Sequence, residues 1–161
     1  MIVVRGSTAF KGPQMLKVLI VEDDLMIADM TEEFLVASGY EVSGIARTVN
    51  QAVVLAKLDP PDLAIIDLRL AAGGFGTDVA LELQKLKRTG ILFASGNVSQ
   101  FDLTSDDGDG SLVKPYLTKD LLCSLSIIRE IVATGSSALP HPRGFKLLKP
   151  AAADRKALHA R

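Results

Sequence analysis

Short apolar runs alternate with amphipathic stretches through most of the chain. Residues 17–21 (KVLIV) form a β-branched run without polar alternation, the pattern of a strand buried on both faces. Ile27, Met30, Phe34 and Ala37 then keep helical spacing, with Asp24 placed to cap the helix and Gly39 to end it. A second strand is predicted over 40–45, followed by a helix marked by Val49, Ala52 and Ala56 and closed before Pro60-Pro61. Residues 62–67 give a third strand, and 71–76 a glycine-rich loop. Val79, Leu83 and Leu86 mark a third helix, and residues 91–94 a fourth strand. Leu112-Val113 is a short fifth strand, and Leu121, Leu125, Ile128 and Val132 line a last amphipathic helix. Strand–helix alternation of this kind predicts an α/β fold, a doubly wound five-stranded parallel sheet covered on both faces.

One unit of the alternation is missing. Residues 97–110 hold Asp102, Asp106, Asp107, Gly108, Asp109 and Gly110, and their apolar residues Val98, Phe101 and Leu103 do not sustain a helical face. A degenerate fourth helix, replaced by an irregular connection with a solvated acidic run, is expected there. From Gly135 onward Pro140, Pro142, Gly144 and Pro150 interrupt every candidate element. The division expected is therefore an N-terminal extension (1–15), one folded domain (16–134) and a basic, extended or disordered tail (135–161), with a short helix possible only across 151–160. Met15 opens the first strand cleanly, so translation starting there is an alternative to Met1.

Charge sharpens this division. The formal net charge of −1 hides 10 Lys/Arg against 18 Asp/Glu between residues 17 and 134, and six bases against one acid after residue 134. Hydrophobic content of 48% with 23% charged residues describes a globular chain. No apolar run approaches the ~20 residues of a membrane-spanning helix, and residues 2–4 are too short for a signal-peptide core, so a cytoplasmic location is the default expectation. The single cysteine, Cys123, rules out an internal disulfide and sits in a helical pattern as a small core residue.

The strand ends carry the chemistry. Asp67 closes the run 63–66, and Glu22-Asp23-Asp24 closes 17–21. A hydrophobic strand gains nothing in packing from a terminal carboxylate. In a parallel α/β sheet, ligands collect at the carboxyl ends of the strands. Glu22, Asp23, Asp67, Ser95 at the end of the fourth strand and Lys114 at the end of the fifth should therefore share one rim. Carboxylates gathered there repel one another unless a cation sits among them. Oxygen ligands without histidine suit Mg²⁺, and both histidines, His141 and His159, lie in the tail. Asp67 is then placed to attack phosphorus, with Ser95 and Lys114 holding phosphoryl oxygens.

The segments VLIVEDD (18–24), LAIIDLRL (63–70), ILFASGN (91–97) and LVKPY (112–116) resemble, in this order and spacing, the receiver domain of two-component response regulators. The resemblance covers about 16–134 and implies a flavodoxin-like receiver fold. It implies Asp67 as phosphoacceptor, Glu22 and Asp23 as the acidic pair, Ser95 at the hydroxyl position, Lys114 as the site lysine, and the Arg69 backbone carbonyl as a further Mg²⁺ contact. It also implies a histidine kinase or histidine phosphotransfer protein as phosphoryl donor, protein partners downstream, and a signalling module rather than an enzyme; with no output domain following residue 134, no direct DNA binding is expected. The chain departs from the family where Ser111 stands three residues before the lysine in place of an aromatic. It departs again where the 71–74 loop replaces a proline. Phe93-Ala94-Ser95-Gly96 resembles the Phe-Ala-Thr-Gly signature of a single-domain receiver subgroup. In place of an aromatic toggle, phosphorylation is expected to order the loop after Ser95.

Plainer readings compete. Glu22-Asp23 can serve as a helix cap, and Gly73, Gly74 and Gly76 form a turn because the Lys-Ser/Thr of a phosphate-cradling loop is lacking. The basic Phe145-Lys146-Leu147-Leu148-Lys149 segment is either a solubilising tail or a partner-binding element. Two functional alternatives stand beside the phosphoacceptor reading: a degenerate receiver acting as a phosphorylation-independent interaction module, and an aspartyl-phosphate phosphohydrolase. The latter wants an acid where Arg69 stands.

Overall fold

The computed structural model describes residues 15–151. The expected runs become β1 (Lys17–Val21), β2 (Glu41–Ala46), β3 (Leu63–Ile66), β4 (Gly90–Ser95) and β5 (Gly110–Val113). The helices are α1 (Leu25–Ala37), α2 (Val49–Leu58), α3 (Gly76–Leu86) and α4 (Thr118–Thr134). The five strands are parallel in the order β2-β1-β3-β4-β5, so the winding direction reverses between β1 and β3. That reversal opens a crevice at the carboxyl ends of those two strands.

Two apolar layers sandwich the sheet. Leu19, Val21, Ile66, Ile91 and Phe93 pack toward α2 and α3. Val18, Ile20, Ile65, Leu92 and Leu112 pack toward α1 and α4. β3 and β4 are buried along their whole length, which is why their sequence shows no alternation. Each fully buried Leu or Ile contributes about 1.5–3 kcal/mol. Asp24 caps α1 by accepting from the Met26 and Ile27 amides at 3.0 and 3.3 Å. Gly39 follows the helix with φ +91°, a conformation that costs a side-chain-bearing residue.

The buried face of α1 differs from the expected one. Ala28, Thr31 and Leu35 face the sheet, while Met26, Met30 and Phe34 are 73%, 51% and 40% exposed. The helix is apolar on two sides, so spacing alone did not separate the core face from the outer one.

The connection between β4 and β5 contains one 3-10 turn, Val98–Gln100, in place of a helix. Val98, Phe101 and Leu103 half-bury against the α2–α3 layer. The acidic run is not simply solvated. Asp107 accepts from the Thr104 amide at 2.8 Å, and Asp109 accepts from the Ile91 amide at 2.8 Å while pairing with Arg88 at 2.7 Å. These carboxylates supply the loop with the hydrogen bonds a helix would have made internally.

The tail also departs from expectation. Residues 145–147 form β6 (Phe145–Leu147), antiparallel to β5, which makes the sheet six-stranded. Phe145 packs over Gly110, where a Cβ would come within 2.7 Å of the ring, and Leu148 is buried in the α2–α3 layer. Three apolar residues around Lys146 form too short a pattern to stand out among prolines and glycines. The approach to β6 passes α4, where the Cys123 thiol lies 3.7 Å from the Pro140 carbonyl oxygen. The 1–14 extension and the helix expected across 151–160 lie outside the described residues, apart from Ala151. Among the described residues, no helix is long and apolar enough to cross a membrane.

Gly76 opens α3 directly against β3's end: a Cβ there would lie 2.1 Å from the Asp67 carbonyl oxygen. Gly76→Ala should therefore lower stability by about 1–3 kcal/mol through overpacking. A urea unfolding midpoint equal to that of the parent would contradict this.

Candidate functional site

Three parallel strands deliver the charged residues to one rim. β1 runs into Glu22, whose amide donates to the Ala46 carbonyl at 2.9 Å, and β3 runs into Asp67, whose amide donates to the Val21 carbonyl at 2.9 Å. β5 runs into Lys114, whose amide donates to the Ser95 carbonyl at 3.0 Å. Backbone ladders thus continue one residue past the strands and fix where these side chains start. The Lys114-Pro115 peptide is cis.

The Lys114 ammonium bridges two carboxylates, at 2.7 Å from Glu22 Oε1 and 3.0 Å from Asp67 Oδ2. Glu22, Asp23 and Asp67 each place a carboxylate oxygen within 4.8 Å of the others. Glu22 is buried, and its second oxygen, Oε2, has no hydrogen-bond partner among the described residues. Burial pushes the Glu22 carboxyl up to about 7, and the adjacent Asp67 carboxylate adds to this against the opposing pull of Lys114. Asp67 goes the other way. Burial acts to raise it, but the bond from Glu22, the charge and bond of Lys114 and the Ser95 hydroxyl together hold it below the usual carboxylate range. Lys114 is held above its ordinary value: burial acts to lower it, and the two carboxylates outweigh that. The pair therefore behaves as an ionised Asp67 beside a Glu22 that is reluctant to ionise.

This geometry fits a hard divalent cation. The donors are all carboxylate oxygens, they converge, and one buried oxygen is orphaned. Ser95 is buried next to Asp67, and its Oγ accepts from the Asn97 amide at 3.2 Å, leaving the hydroxyl proton free to donate elsewhere.

Arg69 extends the rim outward. Its backbone pairs with Phe75 in an isolated antiparallel bridge. Its guanidinium donates to Gln100 Oε1 at 3.2 Å and lies 5.6 Å from the centre of the Phe101 ring, which meets Phe75 edge-on at 6.1 Å. Arg69 thus ties the loop after Asp67 to the loop after Ser95. Sequence reasoning missed this clamp, and it missed Arg47, whose Nε donates to the Asp23 carbonyl at 3.2 Å. Arg47 directly follows β2 on the same rim, which was the available signal. Ser111, at the family's aromatic position, is buried with its hydroxyl unpartnered among the described residues.

These features define a receiver module. The response regulator receiver domain family model matches residues 18–126, and the chain belongs to that family. PdtaR, a transcriptional regulatory protein of Mycobacterium tuberculosis, is 35% identical over 125 residues, covering 73% of this chain and 60% of PdtaR. The phyllosphere-induced regulator PhyR of Methylorubrum extorquens is 33% identical over 103 residues, covering 62% of this chain and 38% of PhyR. The chain therefore spans less than two thirds of either relative. Among solved structures, the chemotaxis response regulator CheY4 of Vibrio cholerae superposes with a TM-score of 0.63 at 27% identity, covering 71% of this chain and 98% of that one. Receiver domains are signalling modules of two-component systems, and they bind Mg²⁺ in an acidic pocket of the kind that Glu22, Asp23 and Asp67 form here.

Removing the Lys114 cation takes away the charge that opposes protonation of Glu22. In Lys114→Met the Glu22 carboxyl should titrate above the value of about 7 that it has in the parent, as followed by side-chain carbonyl NMR. A midpoint at or below the parent's would refute the assigned electrostatics.

Proposed function

We propose that this chain receives a phosphoryl group on Asp67 from a phosphohistidine of a histidine kinase or phosphotransfer protein, and signals through protein partners. The observation that carries this reading is the bridging of Glu22 and Asp67 by Lys114, with Asp23 completing the acidic cluster. An ionised Asp67 carboxylate attacks phosphorus in line. The P–N bond breaks, and its electron pair leaves with the imidazole, which takes up a proton. Lys114 swings its ammonium from the carboxylates to a phosphoryl oxygen, and the Ser95 hydroxyl donates to another. Glu22, Asp23, Asp67 and the Arg69 carbonyl would hold Mg²⁺, which when bound offsets charge on the phosphoryl oxygens.

The donor's docking face follows from the same site. Ile27, Met30 and Phe34 of α1, with Pro115, Leu117 and Leu121, line a groove of about 550 Å³ that also includes Lys114. Because the groove shares Lys114 with the acidic rim, it is the face against which a donor presenting its phosphohistidine to Asp67 would rest. Such a face suits an amphipathic helix.

Incubation with Mg²⁺ and acetyl phosphate should add one phosphoryl group, detected by intact mass, and Asp67→Asn should abolish it. Labelling of the Asn variant, or none of the folded parent, would exclude the reading. Ser95→Ala should slow transfer by about 10²-fold through loss of one oxyanion donor, which a stopped-flow time course would resolve. Met30→Asp should impair transfer from a phosphorylated kinase and leave transfer from acetyl phosphate intact. Equal loss with both donors would place the docking face elsewhere.

A further inference from the structure

The residues proposed to hold Mg²⁺ do not all start from the sheet. The Glu22 and Asp67 amides are still bonded to the neighbouring strand, whereas Asp23 and Arg69 belong to the loops beyond. An ion that demands near-ideal octahedral geometry needs those loops fixed as closely as the strands.

Arg47 stands between the two loops. It directly follows β2, and both of its main-chain groups are engaged. Its amide donates to Gln51 Oε1 of α2 at 2.8 Å, and its carbonyl accepts from the Ala71 amide at 3.1 Å. Its side-chain Nε donates to the Asp23 carbonyl at 3.2 Å. Ala46, the residue before it, accepts from the Glu22 amide at 2.9 Å. The end of β2 therefore grips two successive acidic residues, one through main chain and one through a side chain. The loop that carries Arg69 is gripped at the same point. It is a closed turn, with the Leu70 amide donating to the Gly74 carbonyl at 2.9 Å and Arg69 bridged to Phe75. Ala72 within it has φ +61°, a left-handed conformation that disfavours any residue with a side chain. Such a turn needs an anchor, and the bond from Ala71 to Arg47 ties it to the sheet.

Charge alone does not account for an arginine here. The Asp23 carboxylate lies within 4.8 Å of those of Glu22 and Asp67, so a guanidinium on the Asp23 backbone stands beside the place where a divalent cation would bind. Like charges repel, and Coulomb's law taken by itself makes Arg47 unfavourable to that ion. The guanidinium is turned to a carbonyl, which is the arrangement of a group that fixes a loop.

We propose that Arg47 is a positioning residue of the cation site, and that it adapts the site to a small ion. It acts through Asp23, whose backbone it holds so that the carboxylate springs from a fixed point, as the carboxylates of Glu22 and Asp67 do from the sheet. Partners that orient the ligands of a metal in this way contribute to affinity without touching the ion. Arg47 has this role only if the acidic cluster holds Mg²⁺, so the assignment rests on the proposed function and adds to it a residue from the far edge strand of the sheet.

Titrations of the full-length chain with Mg²⁺ and, separately, with Ca²⁺ test it, followed by amide NMR shifts at ~0.15 M salt to screen distant charges. Arg47 is exposed, so its replacement leaves the core intact. In Arg47→Met the Mg²⁺ affinity should fall by ~10-fold. Affinity for Ca²⁺, which accepts larger and looser ligand sets, should fall by a smaller factor. An Mg²⁺ affinity that stays the same or rises, as removal of a repelling charge alone would give, overturns the proposal. An equal loss for both ions, the mark of general loosening, overturns it too. Asp23→Asn in the same titrations separates this assignment from the reading beneath it. Loss of Mg²⁺ affinity in Asp23→Asn with none in Arg47→Met removes the role of Arg47 alone. A chain whose Mg²⁺ affinity does not respond to Asp23→Asn holds no ion at this cluster, and both fall together.

Discussion

Lys114 holds two carboxylates that the fold has forced together. With their carboxylate oxygens within 4.8 Å of one another, two unit negative charges would repel by about 3 kcal/mol or more at an effective dielectric near 20. The ammonium, 2.7 and 3.0 Å from its two partners, is the local answer to that repulsion among the described residues. Each participant comes from a different parallel strand, and Lys114 is 92 residues from Glu22 and 47 from Asp67 in sequence. The constellation therefore forms only when β1, β3 and β5 all lie in register. The register is set by buried Leu, Ile and Val on both faces rather than by the charges themselves.

The same constraint explains the shape of the surrounding loops. Gly76 lets α3 begin against the Asp67 backbone, which leaves no space for a side chain. Arg69 leans away from the acids toward Gln100 and Phe101, and Arg47 reaches the Asp23 backbone. Two loops that hold no α-helix are thus pinned by cation contacts at the perimeter of the acidic cluster. An event that redistributes charge at the cluster is one side chain away from the loop that stands where a helix is missing.

Much of this could be seen in the chain itself. A strand buried on both faces has an unmistakable run of Val, Ile and Leu, and carboxylates or a lysine at its end stand out against that run. The rim that brings Glu22, Asp23, Asp67, Ser95 and Lys114 together follows from parallel topology alone. What escaped was decided by tertiary context. α1 is apolar on two faces, and only packing selected Ala28, Thr31 and Leu35 over Met30 and Phe34. Asp109 looked like one acid among several until Arg88 and the Ile91 amide, far away in sequence, met it. β6 is three residues long, its partner strand is remote, and its flanking prolines argued against order.

The chain's one thiol has a practical use. Cys123 is half-buried on α4 and touches the Pro140 carbonyl at 3.7 Å, where the backbone leaves the helix and heads for the sheet edge. A dye attached there needs no competing cysteine to be removed. Its emission would report the local surroundings of that crossing segment, giving an optical readout of tail position in an unmutated protein.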